Sequence, residues 1–92
     1  MTKLVARVKI LPASIDVDLD KLAEKVEEKV STVAELHSYY TEPIAFGLSA
    51  LIADFLLEEK EGGTEPLEEA LKSVEGVGEV DVIAVSRMST KL

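Results

Sequence analysis

Cysteine is missing from this chain of 92 residues, and so are asparagine and glutamine. Without cysteine there is no disulfide framework, no thiolate metal site and no cysteine nucleophile. No apolar run reaches the roughly 20 residues that a membrane helix requires, so no membrane partner is expected. Histidine occurs once, at His37, and a lone histidine near a strand start suits a rim position better than a general base. Positive charge is scarce: 10 Lys and Arg stand against 18 Asp and Glu, a net charge of −8. Phosphate neutralisation needs a basic surface, so direct binding of nucleic acid is not expected. An acidic surface suits a protein that approaches a partner through that partner's basic patch. The loss of the thermolabile amides, beside many Glu and Lys, is a composition found in heat-adapted proteins.

Nearly half of the residues are apolar, which at this length suits one compact domain over residues 1–92 with a single core. Met1-Thr2-Lys3-Leu4 runs directly into strand pattern, so no signal peptide is expected and the chain reads as cytoplasmic. Leu4, Ala6, Val8 and Ile10 alternate with Val5, Arg7 and Lys9, the period of a strand with one buried face; Pro12 ends it. Ser14 to Asp18 makes a turn, and Asp16, Asp18 and Asp20 stand where side-chain carboxylates cap a helix and meet its positive dipole end. Leu19, Leu22, Ala23, Val26 and Val30 then recur at helical spacing, with charged residues covering the other side.

A second strand is expected from Ala34 to Thr41, and a third from Leu48 to Leu57 that is apolar on both faces and therefore central. Glu58 to Gly63 is a polar break. Thr64 is placed to cap a second helix, Pro66 is tolerated in its first turn, Leu67, Ala70, Leu71 and Val74 form its stripe, and Gly76 is expected to close it. Val80, Val82 and Ala84 alternate with Asp81, Ile83 and Val85 as a fourth strand. The order is β-α-β-β-α-β. Right-handed crossovers leave essentially one compact solution, an α+β ferredoxin-like split βαβ fold. Its antiparallel sheet has strand order 4-1-3-2 and carries both helices on one face.

That fold hosts many chemistries, so function has to come from the residues. A small phosphatase of this shape wants Arg and Asn at a phosphate loop, and there is no Asn. An RNA reader stacks bases on aromatic residues of the central strands, where this chain offers only Phe55. Asp16, Asp18, Asp20 and Glu27 copy the acidic spacing of a calcium loop, yet Lys21 replaces the glycine such a loop requires. Gly62-Gly63-Thr64 precedes a helix but lacks a P-loop lysine and is crowded by Glu59, Glu61 and Glu65, which makes it a turn and a cap. No nucleotide-binding motif occurs, no cofactor is expected, and the parts of a protein nucleophile are missing.

Glu42-Pro43-Ile44-Ala45-Phe46-Gly47, between the second and third strands, is unusual. Such connections are mostly polar, because water satisfies their backbone groups. Two readings stand: Ile44 and Phe46 fold back under the sheet, or Phe46 is presented to a partner, where aromatic anchors are enriched. Taken with Gly62-Gly63-Thr64-Glu65 and the closing Val80-Asp81-Val82, this stretch makes the whole chain resemble the archaeal elongation factor 1-beta family. It is similar, more distantly, to the C-terminal exchange domain of the eukaryotic counterparts.

The resemblance implies a guanine nucleotide exchange factor for the GTPase elongation factor 1-alpha, acting without covalent chemistry and monomeric when free. It implies that Pro43, Ile44 and Phe46 touch the GTPase, through the family's Pro-Ile-x-Phe-Gly motif. It also implies a cation near the C-terminus that reaches the GTPase's magnesium region. Spacing along the last strand selects Arg87 for that place, whereas the literal Lys-Leu ending selects Lys91. The competing expectation is a ferredoxin-like regulatory module that dimerises and binds a small effector, using Val5, Ile83 and Val85 on the outer sheet face.

Overall fold

A computed structural model describes residues 3–58 and 63–88. The elements are β1 (Lys3–Pro12), α1 (Leu19–Val30), β2 (Glu35–Pro43), β3 (Ser49–Glu58), α2 (Glu65–Lys72) and β4 (Val77–Met88). The four strands form one sheet in the order β2-β3-β1-β4, every neighbouring pair antiparallel, which is the ferredoxin-like arrangement expected from the element order.

The alternation of β1 and β3 sends Ala6, Val8 and Ile10, with Leu51, Ala53, Phe55 and Leu57, to the helix side. There they meet Leu22, Ala23, Val26 and Val30 of α1 and Leu67 and Leu71 of α2 in one continuous core. Each such fully buried Leu, Val, Ile or Phe contributes about 1.5–3 kcal/mol of hydrophobic stabilisation. The central place of β3 explains its second apolar face. Ala50 and Ile52 are buried there, with Tyr40 of β2 and Lys9 of β1 in register on either side of Ile52.

The start of α1 follows the sequence closely. The Asp18 carboxylate accepts from the backbone N–H groups of Asp20 and Lys21, at 3.0 and 3.3 Å, and so satisfies two donors that have no partner inside the helix. At α2, Thr64 does occupy the capping position, but its hydroxyl donates to the Glu68 carboxylate at 2.9 Å and not to the backbone. Gly76 does not close α2. The helix ends at Lys72 with Ser73 as its cap, where the Ser73 hydroxyl donates to the Ala70 carbonyl at 2.7 Å. Gly76 belongs to the turn that starts β4: its φ is +101°, and its carbonyl accepts from Ala13 N–H at 2.8 Å. This turn lets β4 begin at Val77, three residues earlier than the alternation from Val80 suggests.

One register shift changes which residues share a face. Arg7 stands opposite Ala84 and Val8 opposite Val82, so Ile83 is an extra residue in a β-bulge. Beyond it, Val85 lies opposite Ala6 and Arg87 opposite Leu4. Directly opposed residues point to one face, so Val85 and Arg87 belong to the helix side. The expected outer-face trio of Val5, Ile83 and Val85 is therefore not formed, because Val5 faces Ser86 instead.

Candidate functional site

The β2–β3 connection is built as a tight turn. Ile44 N–H donates to the Leu48 carbonyl at 2.8 Å, and Leu48 N–H donates to the Ala45 carbonyl at 2.9 Å. The two central residues, Phe46 and Gly47, have φ of +54° and +79°. Positive φ at both central positions marks a type I′ turn, which matches the twist of the flanking strands and favours Asn-Gly or Gly-Gly. Glycine meets that demand at position 47. Phenylalanine does not, because its Cβ crowds the backbone in the left-handed region. Backbone held this way costs on the order of 1–3 kcal/mol, and such outliers concentrate at functional sites.

The side chain recovers none of that cost inside this molecule. Phe46 is 96% exposed and Ile44 44% exposed, so the alternative in which both fold under the sheet is overturned. The reason is geometric. The turn lies past the ends of β2 and β3, at Pro43 and Ser49, whereas the core is drawn from the strands and helices inside that boundary. Pro43 is the last residue of the edge strand β2, in register with Ser49.

A second segment meets the turn. Ile15, from the β1–α1 connection, lies so close to Gly47 that a Cβ on that glycine would stand 2.9 Å from Ile15 Cδ1. Beside the turn, Leu11, Pro12, Ala13, Leu48, Gly78 and Glu79 line an open cleft of about 310 Å³. Ile15 was hidden in the sequence by its polar neighbours Ser14 and Asp16. The signal available was an isoleucine in a turn with no helical or strand stripe to join.

The other expected residues lie elsewhere. Arg87 is exposed near the end of β4, opposite Leu4 at the start of β1, whereas Pro43 and Ser49 lie toward the Pro12 end. The structure thus brings Pro43, Ile44 and Phe46 together and sets Arg87 at the opposite end of the sheet. Lys91 lies outside the described residues. Eight residues of β3 at about 3.3 Å each put ~25 Å between the two ends. Among the described residues, no three His, Cys, Asp or Glu side chains are grouped so as to hold a metal ion. No described helix is long and apolar enough to cross a membrane.

The sequence pattern of the EF-1 guanine nucleotide exchange domain matches residues 5–88, from β1 through the Phe46 turn to Met88. The chain belongs to the EF-1 guanine nucleotide exchange domain family. It is 47% identical over 90 residues to elongation factor 1-beta of Staphylothermus marinus, covering 97% of this chain and all (100%) of that relative. It is 46% identical over 89 residues to elongation factor 1-beta of Methanosarcina barkeri, covering 96% and 100%. With that of Methanothermobacter thermautotrophicus the identity is 43% over 88 residues, covering 96% and 99%. The span matched to the exchange domain includes Pro43, Ile44, Phe46 and Arg87 and stops short of Lys91.

Proposed function

We propose that this exchange-domain protein is a translation elongation factor 1-beta. It promotes replacement of GDP by GTP on elongation factor 1-alpha, with Pro43, Ile44 and Phe46 as one point of attachment. Membership of the EF-1 exchange-domain family supports the activity and the GTPase partner. The observation that carries the site is Phe46: a large apolar side chain left 96% exposed on a backbone with φ of +54°. A partner pocket that takes the ring offsets the strain the free molecule bears.

The second point of attachment is a cation near the C-terminus, either Arg87 at the far end of the sheet or Lys91, acting on the magnesium and phosphate end of the nucleotide site. An Arg there carries its charge on a planar fork, and a Lys as a compact point charge, so the two are not equivalent. The factor acts by preferring one state of its partner. It binds the nucleotide-free GTPase more tightly than the GDP-bound one, and by linkage it weakens GDP by the same factor. No covalent bond is made or broken in that cycle.

The test is the release rate of a fluorescent GDP from elongation factor 1-alpha, with and without this protein. Acceleration that rises with concentration and saturates is expected. An unchanged rate with a GTPase that still binds nucleotide would overturn the reading.

A further inference from the structure

We propose that Ile15 is a second side chain that touches the GTPase, so that the tip of this molecule meets its partner through two loops. The inference rests on the exchange-factor reading and extends its Phe46 site. Ile15 is 59% exposed. A single exposed isoleucine is ordinary, but this one lies against Gly47, next in sequence to the outlying Phe46. Ile44 stands on the same turn, half-exposed. The segment that carries Ile15 also supplies Pro12 and Ala13 to the cleft beside the turn, and Leu48 closes that cleft from the β3 side. Apolar surface therefore continues from Phe46 across the turn into the β1–α1 connection.

The contact with Gly47 gives the two loops a common geometry. A Cβ at position 47 would stand 2.9 Å from Ile15 Cδ1, the outer end of that side chain, so the two loops touch at this point. The contact sets the Ile15 side chain against the turn while Phe46 stays outside. Acids stand around this surface: Asp16 next to Ile15, Glu42 on β2 and Glu79 in the cleft wall, all exposed. The fitting partner surface is an apolar depression with a basic rim. Aromatic and aliphatic anchors supply affinity in such an interface, and the charges supply rate and orientation.

The decisive experiment places a photo-cross-linking amino acid at position 15, at position 46, or at Ile83 on β4 as background, each in the full chain. Each protein is irradiated with nucleotide-free elongation factor 1-alpha, with unlabelled wild-type protein as competitor. Competed cross-links from 15 and 46 above the background from 83 are expected. In the exchange assay, Ile15→Ala is expected to raise the half-maximal concentration roughly fivefold and leave the saturated rate unchanged, the mark of a lost contact outside the chemistry. A cross-link from 46 alone would overturn the role of Ile15 and leave the Phe46 site standing. Cross-links from neither, with wild-type exchange active, would overturn the Phe46 site as well. A raised half-maximal concentration without a cross-link from 15 would make Ile15 a prop for Gly47 and likewise overturn the contact. Ile15 is exposed, so circular dichroism of each variant should match wild type.

Discussion

Arg7 grips Asp54 across the two central strands, with Nε 2.8 Å from Oδ1 and Nη2 3.1 Å from Oδ2. The two residues are direct register partners on the face away from the helices. The forked geometry makes this a bidentate pair, the strongest form such a contact takes at a surface. The hydrogen bond from Arg7, with its charge, holds the Asp54 carboxyl below the usual carboxylate range against the opposing effect of partial burial.

That shift sets a pH dependence. A carboxyl with a lowered value in the fold contributes stability that is present above its unfolded value, about pH 4, and lost as pH falls through the lower folded value. Arg7→Met should therefore melt at a lower temperature than wild type at neutral pH, with the gap closing below about pH 4. Melting curves of both proteins from pH 7 to pH 2 test this. A gap that stays constant across the series would remove the Asp54 pair as its cause.

Phe46→Asn should separate stability from activity. Asparagine tolerates the left-handed region and completes an Asn-Gly turn, so the variant should gain about 1 kcal/mol against denaturant. Exchange on elongation factor 1-alpha should fall at least tenfold at sub-saturating concentration, as loss of a ~1.4 kcal/mol anchor requires. Urea titration and the fluorescent GDP assay read the two effects independently. A variant less stable than wild type would mean that the ring stabilises the free molecule after all.

Phe46→Ala and Arg87→Ala should each weaken exchange, and the double variant should show the sum of the two free-energy losses to within about 0.5 kcal/mol. The reason is the ~25 Å of strand between the two ends. Exchange constants for the four proteins complete the cycle. A larger coupling would place both side chains at one shared contact. The same series with Lys91→Ala identifies which cation serves the far end.

Asp18→Ala removes the acceptor for two backbone donors at the start of α1. It should cost about 1 kcal/mol of stability. The saturated exchange rate should not change, because neither proposed attachment point involves Asp18. Denaturant midpoints with an unchanged slope would confirm a local loss, whereas a changed slope would point to a disturbed unfolded state.

The framework was legible because its signals are redundant. Helix α1 has both an apolar stripe and an aspartate cap, and its bounds Leu19–Val30 match the periodicity. The doubly apolar β3 identifies itself as central, and element order with crossover handedness then leaves one sheet. The face of Arg87 was not legible. From Val80 to Val85 the last strand is apolar at both parities except for Asp81. A slip of one residue therefore costs the hydrophobic pattern nothing, and the bulge at Ile83 leaves no trace in it. The fate of Phe46 was hidden for a different reason. Residue type alone fits a buried ring or a presented one, and only the folded turn, where the ring is left exposed, distinguishes them. Ile15 needed the fold too, since thirty-one positions separate it from Phe46.

Both borders of the sheet are bent. In β2, His37 stands between the pairs Leu36–Phe55 and Ser38–Asp54 without a partner of its own; in β4, Ile83 does the same. A straight border with free backbone groups is a template on which a stray strand can add. Here an added strand would fall out of step within a few residues on either side. It would also meet Glu35 and Glu42 along one border, or Glu79 and Asp81 along the other. The consequence is colloidal: irregular, acidic borders oppose the strand-by-strand stacking that turns β-sheet proteins into precipitates, and oppose it most for copies of the same acidic chain.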